Sequence, residues 1–251
     1  MRIPHACLAA GLAAAFAIGP ALAADPPPVP YPAGYRTWAH VKTMQILPGH
    51  PLHEVIDGLS EYQRYGVFAE IGGLIARLNQ VVVDNHRDWS STMAVELATL
   101  RTKRSQVLTG GFSATEFDQM LKLLEGYVRD FPGERWVLCH GDLSLKHIFV
   151  TGGANGDPTV QVSGIIDFGD WQPGTSVHDL AVFRARSPRL DLLPLLAGYG
   201  TLADDQFRHR LDLHTLTIAL DSLAFGVVEG DQVCIDEAAE LIRALLDDLS
   251  S

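Results

Sequence analysis

The sequence predicts an α+β protein, mostly helical, in which one small antiparallel hairpin carries the chemistry. Apolar residues recur at the 3.6-residue period through most of the chain, short β-rich runs cluster between residues 136 and 166, and no internal repeat is visible. Hydrophobic residues make up 47% of the 251 and charged residues 20%, which excludes disorder by composition and leaves ample material for a core.

Taken in order, the N-terminus reads as an export signal over residues 1–23. Met1-Arg2 is followed by the apolar stretch Ala6–Gly19 and by the small-x-small site Ala21-Leu22-Ala23. Gly19-Pro20 breaks any longer helix where cleavage is expected. Residues 24–56 form a Pro- and aromatic-rich leader without helical period, for which no independent fold is expected. Within it, His50-Pro-Leu-His53 reads as solvated histidines, because Pro51 opposes a helix and no third ligand stands at metal spacing.

From Asp57 the texture changes, and residues 57–251 read as one body. Val67, Phe68, Ile71, Leu74, Ile75 and Leu78 share one helical face. A second helix is expected over Ser91–Val107. Ser113-x-x-Glu116 is a capping box, followed by the stripe Phe117, Met120, Leu121, Leu124, Tyr127, Val128 and Phe131, which Pro132-Gly133 stops. The β-rich runs are Trp136–Cys139, His147–Val150 and Thr159–Ile166, the last two joined by a Gly/Asn/Asp/Pro turn. From about Val177 to Leu249 the pattern is helical again, and Gly198-Tyr-Gly reads as helix-end glycines.

Charge and cysteine content exclude several functions. Net charge is 19 − 30 = −11; residues 1–56 hold three basic and two acidic side chains, leaving 16 − 28 = −12 on the rest. So acidic a body repels a phosphate backbone, and nucleic acid is excluded as a partner. Cys7, Cys139 and Cys234 are too few for a disulfide framework or a Cys-rich zinc site, and the apolar surroundings of the last two lead to the expectation of buried thiols over a bridge. No apolar run beyond the export signal reaches membrane-spanning length, and oligomeric state is not legible.

The hairpin converges the acids. The strand from His147 runs away from its loop, turns, and returns through Val160, Val162 and Ile166, which brings Asp167 beside His147 at the end where the loop holding Asp142 opens. Two carboxylates and an imidazole at one strand end suit a divalent metal plus a base, the equipment of phosphoryl transfer. Asp142 is then expected to orient a substrate hydroxyl and accept its proton. Asp167 would hold Mg²⁺ on the ATP phosphates, with His147 as the second metal ligand. His140 is expected to pack and hydrogen-bond beneath the loop, Asp179 to accept from its backbone, and Asp170 either to reach the metal or to cap the turn.

Cys139-His-Gly-Asp-Leu-Ser-Leu-Lys-His147 and Ile166-Asp-Phe168, with Asp179-Leu-Ala181 downstream, resemble the catalytic and metal loops of the aminoglycoside phosphotransferase family, of protein-kinase-like fold. The resemblance extends over residues 57–251. It implies the C-terminal lobe of that fold, ATP as co-substrate, Mg²⁺ (or Mn²⁺), and a small hydroxylated acceptor such as an aminoglycoside or macrolide. His147 stands where the family usually has asparagine, as in the macrolide phosphotransferase branch; imidazole suits a softer ion than Mg²⁺. The family is cytoplasmic by expectation, in tension with the export signal. The leader, from Tyr31 to Leu52, resembles the start of periplasmic mono-haem c-type cytochromes that oxidise hydroxylamine, yet no Cys-x-x-Cys-His exists for a haem. The fold's N-terminal β lobe needs about 90 residues, whereas residues 24–56 supply 33 and a single lysine, Lys42. A missing N-terminal lobe and impaired catalysis are therefore expected, with a non-catalytic remnant or metal- or ligand-binding module as the alternative.

Overall fold

The computed structural model describes residues 47–83, 88–152, 159–201 and 204–250. The export signal, Lys42, most of the leader and the hairpin turn lie outside them. The described residues are mostly helical with two small antiparallel sheets.

Residues 47–58 belong to the body, which corrects the expectation that the chain folds only from Asp57. Strand β1 (His50–Pro51) pairs antiparallel with β3 (Ile148–Gly152), placing His50 opposite Val150. Helix α1 (Leu52–Val55) follows, and Leu52 and Ile56 are buried in the core. Ser163 Oγ donates to the Pro48 carbonyl at 2.7 Å. Pro-rich texture reads as a leader, but an edge strand tolerates proline because its outward side forms no ladder.

Helix α2 (Glu61–Leu78) starts on a capping box from Ser60 and buries Val67, Phe68, Ile71 and Ile75. The expected single helix over 91–107 is two, α3 (Trp89–Thr102) and α4 (Arg104–Thr109), broken at Lys103, whose ammonium turns inward to Asp221 at 2.8 Å. Helix α5 (Ala114–Asp130) begins on the Ser113/Glu116 box: Ser113 Oγ accepts from the Glu116 N–H at 3.2 Å, and the Glu116 carboxylate accepts from the Ser113 N–H at 2.7 Å.

Strand β2 (Val137–Cys139) pairs with β5 (Gln172–Gly174), a strand too short to signal itself in the sequence. β3 pairs with β4 (Val160–Ile165), giving the three-stranded order β1-β3-β4. Helices α6 (His178–Arg186), α7 (Leu193–Tyr199), α8 (Asp205–Glu229) and α9 (Gln232–Leu249) complete the described fold. α7 ends on left-handed Gly200. It crosses α2 backbone to backbone: a Cβ on Gly198 would lie 1.8 Å from the Ala69 carbonyl oxygen, and one on Gly72 2.0 Å from that of Leu195. α8 has the length and hydropathy of a membrane span, contrary to the expectation of none outside the N-terminus. Yet 72% of its apolar window is buried inside the protein, as befits the central helix of a core.

Candidate active site

Two loops define the site. The loop 140–147 leaves β2 and enters β3, and the loop 166–171 leaves β4 and enters β5. Because β2 pairs with β5 and β3 with β4, both loops bridge the same two ladders and lie side by side. The Ile166 N–H donates to the His147 carbonyl at 2.9 Å, so the expected convergence of Asp142, His147 and Asp167 is present.

Backbone geometry sets both loops. Gly141 sits at φ +85°, and a Cβ there would lie 2.1 Å from the Asp170 carbonyl oxygen, so no other residue fits where the loops touch. Asp167 has φ +66°, the one non-glycine in the left-handed region among the described residues. That conformation costs an L-residue about 1–2 kcal/mol and turns the Asp167 carboxylate towards His147.

Two side chains hold the loop 140–147 from beneath. The buried Asp179 carboxylate accepts from the backbone N–H of His140 at 2.9 Å and of Gly141 at 3.0 Å. His140 is 1% exposed; its Nε2–H donates to the Ile166 carbonyl at 2.8 Å, and its Nδ1 accepts from the Asp142 N–H at 3.2 Å. Burial holds this imidazole below the usual histidine range, so it is neutral. Behind it, the Gln172 amide donates to His178 Nε2 at 3.0 Å, and His178 Nδ1–H donates to His214 Nε2 at 3.0 Å. Asp170 is exposed on the second loop, and its field acts on His147.

His147 carries the most informative geometry. Its Nδ1 lies 2.7 Å from the Asp142 backbone carbonyl, which can only accept, so Nδ1 bears the proton. Burial, assisted by the Lys146 charge, pushes its pKa down, and the ring is neutral. Nε2 therefore presents a lone pair, and it faces Asp167 Oδ2 at 3.4 Å. Two acceptors aimed at each other repel unless a cation lies between them. Locking one imidazole nitrogen on a carbonyl to expose the other is how ligating histidines are oriented. No third His, Cys, Asp or Glu completes a ligand group among the described residues. A Mg²⁺-type ion usually takes one or two protein ligands and draws the rest from phosphate and water. One carboxylate and one imidazole fit a divalent ion bound in this way, Mn²⁺ better than Mg²⁺.

Asp142 is 14% exposed at its side chain. Its Oδ1 accepts from Arg186 Nη2, while Oδ2 stands 3.7 Å from His147 Nδ1. Arg186 was not anticipated from the sequence, nor were Gln172 and His178. The signal for Arg186 was its spacing: seven residues after Asp179, it returns to the same helical face two turns on.

A model of the phosphotransferase enzyme family matches residues 1–213 of the chain. The chain belongs to this family. The match begins at residue 1, ahead of the boundary read at Asp57. Among family relatives, the hydroxylysine kinase of Mus musculus is 31% identical over 152 residues, which span 57% of this chain and 39% of the mouse protein. The Bos taurus hydroxylysine kinase is 28% identical over the same spans. The chain thus covers about two fifths of the length of these curated relatives. Among solved structures, it is similar in fold to the GDP complex of wild-type aminoglycoside 2'-phosphotransferase-IIIa, with TM-score 0.58, 18% identity, and 80% of this chain and 69% of that one covered. The GDP and kanamycin complex of APH(2")-IIia gives TM-score 0.61 at 18% identity and the same coverage.

Proposed function

We propose that this phosphotransferase-family chain transfers a phosphoryl group from ATP to a hydroxyl of a small molecule. The supporting observation is the Nε2 lone pair of His147 facing Asp167 beside the Asp142 carboxylate. Asp142 Oδ2 would receive the acceptor hydroxyl, orient it in line with the donor phosphate and take its proton. His147 Nε2 and Asp167 would hold the metal, Mg²⁺ or Mn²⁺, which when bound neutralises charge on the phosphates. His140 and Asp179 would keep the loop backbone in register. The acceptor class is a hydroxylated amine, amino acid or antibiotic, because the relatives are named for hydroxylysine and the structural neighbours for aminoglycosides.

Two experiments test this. Calorimetric titration with Mn²⁺ should show weak binding that Asp167→Ala abolishes and Asp142→Ala only weakens; unchanged binding by Asp167→Ala removes the metal assignment. Phosphate transfer from ATP should then be followed with 5-hydroxylysine, kanamycin and a macrolide as acceptors, and Asp142→Asn should abolish it. Metal binding without transfer to any acceptor would make the chain a binding module.

A further inference from the structure

Arg186 ends α6 with its guanidinium against the reacting group. Its side chain and that of Asp142 are each 14% exposed, so the pair is largely withdrawn from water, and Asp142 Oδ1 is its one acceptor among the described residues. Nε of Arg186 is buried without a partner, which leaves Nη2 as the nitrogen that fixes the side chain. Two residues earlier, Arg184 points elsewhere, to Asp212 on α8 and Asp248 on α9. The last turn of α6 therefore directs one arginine to the helical body and one to the catalytic loop.

The two oxygens of Asp142 are not equivalent. Oδ1 is taken by Arg186. Among the described residues Oδ2 has no hydrogen-bond donor: the nearby His147 Nδ1 stands 3.7 Å away and commits its proton to the backbone carbonyl of Asp142. We propose that Arg186 is a positioning residue for the reaction: it pins one oxygen of Asp142 so that the other alone is presented to the acceptor hydroxyl. This rests on the phosphotransfer reading above. A free carboxylate would rotate about its last bond and present a full negative charge to an anionic donor. Paired with Arg186, it is held in one orientation and its charge is balanced where the donor must approach. Asp179 and Arg186, seven residues apart on one face of α6, then fix the backbone of the loop and its reacting group from a single helix.

The test has two arms. A double-mutant cycle of Arg186→Met and Asp142→Asn, read by urea unfolding, should show coupling of at least about tenfold in the unfolding constant. The matching cycle of Arg184→Met with Asp142→Asn should be additive. In transfer from ATP to 5-hydroxylysine or kanamycin, Arg186→Met should lower kcat about 100-fold with the KM for ATP changed less than about twofold. Arg186→Lys, which keeps the charge at the helix end, should recover about tenfold of that loss. An additive Arg186 cycle overturns the proposal, and so does wild-type kcat in Arg186→Met. Coupling in a protein that transfers phosphate to no acceptor would leave the pinning of Asp142 standing and reject the phosphotransfer reading.

Discussion

At the scale of single residues, the site depends on backbone conformations that a motif records only as letters. Gly141 is both left-handed and in contact with the Asp170 carbonyl, so Gly141→Ala must move one loop off the other. It should destabilise the protein by about 2–3 kcal/mol and abolish any transfer activity, as read by chemical denaturation and by turnover. The meeting of His147 and Asp167 was legible because an antiparallel return fixes which residues come together. Arg186 and His178 were not, because their roles arise from where a helix lands on a loop, and helix spacing alone does not name the target. The tautomer of His147 was likewise invisible until the Asp142 carbonyl was seen at 2.7 Å.

At the scale of elements, the helices with strong local signals came through as read. Ser113 and Glu116 satisfy one another's backbone groups reciprocally, and Ser113→Ala should cost about 1 kcal/mol of stability in a urea titration, with no effect on the site. The break at Lys103 was not readable, since the helical period continues across it. Its cause is tertiary, an ion pair to Asp221 in which the carboxyl is itself pushed up by burial. Strand β1 was missed for another reason: two residues leave no alternation to detect, and the Pro-rich texture around them read as a leader. The α2–α7 crossing gives another test. Gly198→Ala places a methyl where the Ala69 carbonyl stands, and the helices must separate. A loss of about 2–3 kcal/mol is expected in denaturant.

For the whole molecule, the N-terminal edge of the body can be located by deletion. A chain beginning at Leu47 keeps β1, Leu52 and Ile56, whereas one beginning at Asp57 loses them and should be about 3–5 kcal/mol less stable. Equal melting of the two would restore the boundary at Asp57. The protein should also be acid-sensitive. His140, His147, His178 and His214 all have pKa values lowered chiefly by burial, His214 to about 3. Below the ordinary histidine pKa the unfolded chain takes up protons that the folded one refuses, so stability falls as pH falls. His214 alone should remove about 2 kcal/mol between pH 7 and pH 5, a slope that His214→Gln should flatten in pH-dependent unfolding. The general class, mostly helical with a small antiparallel site, was readable from periodicity; the split into two sheets was not, because β5 is three residues long.

Helix α6 also behaves as a lever. Its two contacts with the catalytic loop, through Asp179 and Arg186, are about 10 Å apart along the axis at 1.5 Å per residue. A tilt of about 5° would shift one contact against the other by about 0.9 Å, enough to misalign an in-line transfer about 100-fold. What resists that tilt is the core behind the helix, where Phe183 is 1% exposed and meets Phe68 edge-on at 6.1 Å. On the proposed phosphotransfer reading, alignment at Asp142 is thereby delegated to aromatic packing, and Phe183→Leu should lower kcat by more than its loss of stability would imply.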